Sequence, residues 1–378
     1  MSDAPAPATS PIRDFFQRFG RSMAVELEND LEQLSRLFSD DHPDRIEPVI
    51  MGFAGYRNDR TARIKARIVR KPRIKGAPNS TIAKMHAMYR LYNSHELPGT
   101  FVILEAWGQT YHSASDEEGY VSFEIAAPPP EDDKTRWEAV TMRLADDRHG
   151  HGPLTIPVLR AGTDRAWAII SDIDDTIIET GAQNFVKNWR KVLVDQVDER
   201  VAVPGAGNLY RTIAGDYKAP TRPFFYVSSS PWNLYGFLTS FMEKQQIPHG
   251  PMFLKDYGIE PDKFIDTAHS DHKLDAIQTI LAFYPEQKFL LIGDNGQHDV
   301  EIYAEAVKTY PGRIGAVYIR DVSGSCASGT KAELLEKIRG SGIPVWCGAG
   351  FDDAIELTNT LDLMKPVEAA KAIEAGKA

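Results

Sequence analysis

Apolar positions change rhythm three times along the chain, and each rhythm predicts a different kind of element. In the first stretch Phe15, Phe16, Phe19, Met23, Leu27, Leu31, Leu34 and Phe38 recur at helical spacing among charged positions, which predicts an amphipathic helix over residues 12–40. The second stretch, 45–160, alternates with a period of two. Arg63-Ile64-Lys65-Ala66-Arg67-Ile68 is the clearest case, followed by the runs 101–107, 120–125, 137–142 and 154–158. Asp116-Glu117-Glu118-Gly119 supplies a turn, and Pro128-Pro129-Pro130 breaks the chain. Short strands separated by turn signals predict a small β-sandwich domain.

From residue 165 to 362 the third rhythm takes over. Short apolar runs at 167–171, 224–227, 289–292 and 316–319 are separated by helical patterns at 234–246, 273–283 and 300–308. Strands alternating with helices predict an α/β fold with a doubly wound parallel sheet. A weaker strand falls at 250–254, and 343–346 fits an edge strand because it carries Pro344. The ends, 1–11 (Ala/Pro/Ser-rich) and 363–378 (Ala/Lys/Glu-rich), read as a disordered tail and a frayed C-terminal tail.

Composition narrows the classes. The chain of 378 residues has 42% hydrophobic and 25% charged content, normal for soluble globular domains. No apolar run is long enough to span a bilayer, and the N-terminus lacks the basic start and apolar run of a secretory signal. With Cys326 and Cys347 alone, neither a disulfide framework nor a cysteine metal site is expected, which fits a reducing cytoplasm. A net charge of -10 argues against nucleic-acid binding by the whole chain. It also means that an anionic substrate needs local compensation from a metal, a lysine or backbone N–H groups.

Candidate chemistry gathers at the ends of the α/β strands. The first run ends in Asp172-Ile173-Asp174-Asp175-Thr176 and the second in Ser228-Ser229-Ser230. Lys273 opens a helix, and the next strand ends in Gly293-Asp294 with Asp299 five residues on. In a parallel sheet these carboxyl ends lie on one side, so distant residues converge. Carboxylates crowded there repel each other unless they share a cation or a proton. The residue set fits metal-assisted phosphoryl transfer. A carboxylate attacks phosphorus, a second acid serves the leaving alkoxide and then the attacking water, and a hard cation such as Mg²⁺ relieves the repulsion. The candidate metal set is Asp172, Asp174, Asp294 and Asp299, with Thr176, Ser228 and Lys273 holding phosphate. Asp175 has the simpler role of a helix N-cap, Asp299 is open to the same role, Ser229 and Ser230 compete with Ser228, and Lys255 competes with Lys273. His249, His269, His272 and His298 read as scattered surface residues.

These residues carry a resemblance. Asp172-Ile173-Asp174-Asp175-Thr176, the strand ending at Ser228, Lys273 and Gly293-Asp294 with Asp299 resemble, in order, the four motifs of haloacid dehalogenase superfamily phosphatases. Ser171 to Ile177, Val203-Pro204-Gly205 and Tyr226 to Tyr235 resemble the phosphatidate phosphatase catalytic-domain family, that of the fungal actin-patch phosphatidate phosphatase. The resemblance implies a haloacid dehalogenase-like fold and Mg²⁺-dependent conversion of phosphatidate to diacylglycerol. It implies Asp172 as nucleophile and Asp174 as acid/base.

The spacing of the motifs leaves room for a small cap only, an open site that suits a bulky phosphomonoester. Arg63, Lys65 and Arg67 share one strand face. They read either as a solvated sandwich face or as a peripheral contact with anionic lipid worth up to about 1 kcal/mol per basic residue. Two alternatives stay open: a phosphatase of phosphoproteins or soluble phosphomonoesters, and a catalytically silent membrane-associated adaptor. The oligomeric state is not legible.

Overall fold

The computed structural model describes residues 47–71, 95–164, 167–179, 202–215, 217–218, 220–255 and 269–361. The amphipathic helix expected over 12–40 and both expected tails lie outside the described residues. Within them the chain builds two sheets, one of eight strands and one of six.

The first sheet comprises β1 (Pro48–Gly52), β2 (Gly55–Arg57), β3 (Thr61–Arg70), β4 (Phe101–Ala106), β5 (Gln109–Ala114), β6 (Tyr120–Ala126), β7 (Arg136–Leu144) and β8 (Leu154–Arg160). It is mixed: β2 pairs parallel with β8, and the other pairings are antiparallel. The alternation read from the sequence is real, since Ala62, Ile64, Ala66 and Ile68 are buried together with Val102, Leu104, Val121, Phe123, Val140, Met142, Ile156 and Val158. Where two packed sheets were expected, one hydrogen-bonded sheet closes over a shared core, because the β2–β8 pairing joins its two halves. Strand β5 was not expected. Its burial runs exposed and half-exposed on both faces, so it offers no apolar period to read.

The second sheet comprises β9 (Trp167–Asp172), β10 (Phe224–Pro231), β11 (Met252–Lys255), β12 (Lys288–Asp294), β13 (Ile314–Arg320) and β14 (Val345–Gly348). All pairings are parallel, in the order β11-β10-β9-β12-β13-β14. A parallel sheet is covered on both faces, so its strands read as unbroken apolar runs, and β9 is buried at every position. Helices α1 (Ala206–Ala214), α2 (Tyr235–Lys244) and α6 (Ala354–Thr360) pack through residues such as Leu209, Leu238 and Ala354 on the face that carries Ile169, Phe224 and Leu290. Helices α3 (His269–Phe283), α4 (Asp299–Thr309) and α5 (Gly329–Gly340) pack through Ile277, Val300 and Leu335 on the face that carries Ile170, Phe225 and Leu291. The fold is thus α/β with a parallel sheet beside a mixed sheet.

Cys326 and Cys347 are paired as a disulfide, where no disulfide framework was expected. The parallel pairing of β14 with β13 sets Cys347 beside Ile319, and the loop after β13 returns Cys326 to it.

The basic stripe on β3 makes contacts of its own. Arg67 is buried and pairs with the half-buried Glu96, Arg63 pairs with Glu124 and lies over the Phe283 ring, and Lys65 lies over the rings of Tyr120 and Trp232. Lys65 thus meets Trp232 at the junction between the sheets through a cation–π contact, while Arg63 keeps 36% of its side chain exposed. At the same junction the Ala54 N–H donates to the Tyr235 hydroxyl at 2.9 Å and Gln287 Nε2 donates to the Gly162 carbonyl at 2.7 Å. Phe53 packs on Trp232, ring centroids 4.3 Å apart, and on Tyr235. Phe53 is 2% exposed, so Phe53→Ala is expected to cost about 3–5 kcal/mol. Urea unfolding of the full chain checks this, and a loss below ~1 kcal/mol would show that the junction adds little to stability.

Candidate active site

Register sets the site. In β10 Val227 pairs with Asp172 of β9, in β12 Ile292 pairs with Ser171, and in β13 Arg320 pairs with Asp294. Ser228, Asp172, Asp294 and Arg320 therefore stand along one edge of the sheet on adjacent strands, which are about 4.8 Å apart. These are carboxyl ends, where open α/β sheets hold ligands.

Asp172, Asp294 and Asp299 bring carboxylate oxygens within 4.8 Å of one another, and all three are buried. Lys273 rises from α3 into this group, its Nζ 2.7 Å from Asp172 Oδ1 and 2.7 Å from Asp299 Oδ1. The helix begins at His269, so Lys273 sits in its second turn and not at its start. The competing Lys255 ends β11 at the sheet edge. Asp299 opens α4 and its second oxygen accepts the Asp294 N–H at 3.2 Å. Gly293 makes this approach possible: a Cβ there would lie 2.5 Å from Asp299 Oδ2. Asp294 Oδ1 accepts the N–H groups of Gly296 and Gln297, whereas Oδ2 is buried without a hydrogen-bond partner among the described residues.

Asp174 stands apart from that group. The strand ends at Asp172 and the chain turns, so the Asp174 carboxylate faces β10. It accepts Ser228 Oγ at 2.5 Å and Ser230 Oγ at 3.1 Å. Both serines reach it because residues two apart on a strand share a face, and the Ser230 N–H also donates to Ser228 Oγ. Thr176 Oγ1 donates to Asp172 Oδ2 at 3.1 Å. Asp175 caps no helix among the described residues. It lies in the turn after β9 with φ 58°, and its N–H donates to the Ile178 carbonyl. Of the four histidines, His269 and His272 lie on α3, His298 precedes α4 and His249 is half-buried beside Tyr217. The segments that would show how open the site is, 180–201 and 256–268, lie outside the described residues.

Electrostatics follow from burial. Desolvation lifts Asp172 well above the usual carboxylate range; Lys273 opposes this, while Asp299 and Asp294 add to it. Burial also raises Asp174, against the hydrogen bond from Ser228. Burial and then the Asp299 charge push Asp294 up to about 7. Burial works against the Lys273 ammonium, but Asp172 and Asp299 outweigh it and hold its pKa above the ordinary lysine value. An acid whose pKa is raised on folding binds more protons folded than unfolded, so its contribution to stability falls as pH rises from its unfolded value, near 4, to its folded one. In chelator, Asp294→Asn should therefore gain stability relative to the parent chain as pH climbs from about 4 to about 7. Melting temperatures of both proteins across that range check this; a constant difference would contradict it.

Sequence reasoning passed over several residues at this edge. Asn295 donates to Asp321 and accepts the N–H groups of Val322 and Ser323, and Lys331 Nζ holds the carbonyls of Asn295 and Gln297. Tyr210 of α1 meets Ser171 Oγ at 2.6 Å. The strand-end rule that found Asp294 also points to Arg320, the last residue of β13.

Buried acids at the ends of parallel strands, gathered around one lysine, are the arrangement expected of a phosphoryl-transfer site. Residues 167–321 match the family described as "Phosphatidate phosphatase APP1, catalytic domain". Phosphatidate phosphatase APP1 of Saccharomyces cerevisiae is 36% identical over 158 residues, which are 42% of this chain and 26% of that protein. An uncharacterized protein of Schizosaccharomyces pombe is 28% identical over 222 residues, 56% of this chain and 34% of that one. The matches thus span between a quarter and about a third of the length of these relatives. Among solved structures, a carbohydrate acetylesterase from Xanthomonas citri aligns over 80% of this chain and 68% of its own, with 8% identity and a TM-score of 0.27, too low to carry an argument.

Proposed function

We propose that the chain is a Mg²⁺-dependent phosphomonoesterase that converts phosphatidate to diacylglycerol through an aspartyl-phosphate on Asp172. The observation that carries this is the buried group of Asp172, Asp294 and Asp299 around Lys273, with Asp174 held beside it by two serines. The group fits a hard divalent cation. When ionised, its three carboxylates and one ammonium leave two negative charges, and Asp294 Oδ2 is a buried oxygen without a hydrogen-bond partner among the described residues. All-oxygen donors suit Mg²⁺, and Asp172 and Asp294 would hold it. Asp299 gives both oxygens to Lys273 and the Asp294 N–H, so it acts as their support. Bound there, the cation would offset repulsion between an anionic nucleophile and an anionic phosphate.

The protein's own residues supply the rest. Asp172 attacks phosphorus, the ester P–O bond breaks, and Asp174 gives its proton to the leaving alkoxide. Asp174 then takes a proton from the water that cleaves the acyl phosphate. Its raised pKa keeps it protonated closer to neutral pH, as the first step needs. An ammonium has three donors; two of those on Lys273 face Asp172 and Asp299, and the third would serve a phosphate oxygen. Thr176 and Ser228 now give their hydroxyl hydrogens to Asp172 and Asp174, so they would meet phosphate by exchanging those bonds.

The lipid substrate is supported by the family description and by the name of the yeast relative. Phosphate release from vesicles containing phosphatidate, from p-nitrophenyl phosphate and from a phosphopeptide, each with Mg²⁺, tests it. The reading expects turnover of phosphatidate; turnover of the soluble esters alone would replace the lipid with a soluble phosphomonoester.

A further inference from the structure

Arg320 ends β13 beside Asp294 of β12, yet its side chain crosses to the loop that follows β9. Its Nη1 donates to the Asp175 carbonyl at 2.8 Å, its Nη2 pairs with the Glu179 carboxylate at 2.6 Å, and its Nε donates to the Ala349 carbonyl at 3.2 Å. One planar guanidinium thus ties together the loop after β9, the end of β13 and the loop after β14. The Arg320 side chain is 12% exposed, and of its three bonds the one to the Asp175 carbonyl is part-buried.

The loop has reason to need such a tie. Asp175 has φ 58°, a left-handed conformation that is unfavourable for a residue with a Cβ and persists where its surroundings hold it. The Ile173 carbonyl accepts from Thr176, Ile177 and Ile178, and the Asp175 N–H donates to Ile178; these bonds fix the shape of the turn. The Arg320 bond fixes where the Asp175 peptide sits against β12 and β13. That peptide lies between Asp174, which faces Ser228 and Ser230, and Thr176, which faces Asp172. A displacement at Asp175 moves both.

We infer that Arg320 is a positioning residue that clamps the Asp174–Thr176 turn into register with Asp172 and Asp294; the inference rests on the phosphatase reading above. Lysine cannot replace it, because a single ammonium lacks the fork that reaches the Asp175 carbonyl, the Glu179 carboxylate and the Ala349 carbonyl together.

The test uses the full chain with Arg320→Ala and Arg320→Lys. Hydrogen exchange reads the amides of 173–178, and kinetics read kcat and KM on p-nitrophenyl phosphate and on phosphatidate vesicles. In both variants exchange should quicken in 173–178 while the strands of the parallel sheet keep their protection. kcat should fall by about 10²-fold in Arg320→Ala, the scale of a small misplacement of reacting groups, with KM little changed. Guanidinium added to Arg320→Ala should restore part of kcat, and sodium at equal ionic strength should not. Unchanged exchange in 173–178, an unchanged kcat, a loss without guanidinium rescue, or a general loss of protection across the sheet would each overturn the clamp. A parent chain that hydrolyses no phosphomonoester would sink the phosphatase reading and the catalytic half of this one, while exchange would still rule on the clamp.

Discussion

Asp172→Asn should lose kcat by at least about 10⁴-fold, the scale on which enzymes lose rate when a covalent nucleophile is removed. That is a barrier increase of about 5.5 kcal/mol. The amide cannot form the acyl phosphate, and its geometry differs little from the acid. The fold should survive. Lys273 keeps Asp299 at 2.7 Å, so the buried ammonium is not stranded, and one of the crowded acids becomes neutral. Melting temperature and kcat measured on the same preparation separate chemistry from folding. A variant that melts like the parent chain and still turns over at a tenth of its rate would remove Asp172 from the nucleophile's role.

Removing the divalent cation should bring hydrolysis down by about 10³-fold or more, since such an ion supplies several kcal/mol of charge stabilisation in phosphoryl transfer. Mg²⁺ added back should restore the rate. The basis lies in the charges: among the described residues Lys273 pairs with Asp172 and Asp299, and Asp294 lies within the same buried group. Without the cation those charges must be relieved by protons, which is why burial and Asp299 push Asp294 up to about 7. Protonation costs the nucleophile its charge, so the cation-free site holds its acids in the wrong state for attack. Undiminished hydrolysis in excess chelator would refute this part of the account.

Much of the arrangement was legible because parallel sheets write themselves plainly. Trp167-Ala168-Ile169-Ile170 is apolar without interruption because both faces of β9 are covered, and the acids that follow stand out against it. The strand-end rule then brings Asp172, Ser228 and Asp294 to one edge, as the register shows. Contacts made after a chain reversal were not legible. Asp174 was grouped with Asp172 in the candidate metal set, but the strand stops at Asp172 and the turn sends Asp174 to Ser228 and Ser230. Strand β5 escaped because Gln109-Thr110-Tyr111-His112-Ser113-Ala114 buries neither face, leaving pairing with β4 as its main support. The β3 stripe was legible only in part. Alternation tells which residues leave the core, but not whether water, lipid or a second sheet receives them, and Lys65 meets Trp232.

Trp232 follows directly on the strand that carries Ser228 and Ser230, and Phe53 of the mixed-sheet half packs against it. The mixed sheet therefore braces the segment that holds Asp174, which links the stability of the junction to the geometry of the proposed acid/base.

The most direct test is a crystal structure of the full chain grown with Mg²⁺ and beryllium fluoride, a mimic of the phosphorylated carboxylate. The account predicts the fluoride adduct on an Asp172 oxygen, with one Mg²⁺ shared by Asp172 and Asp294 and with Asp174 still beside Ser228 and Ser230. An adduct on another residue, or a cation bound away from Asp172 and Asp294 under those conditions, would contradict it.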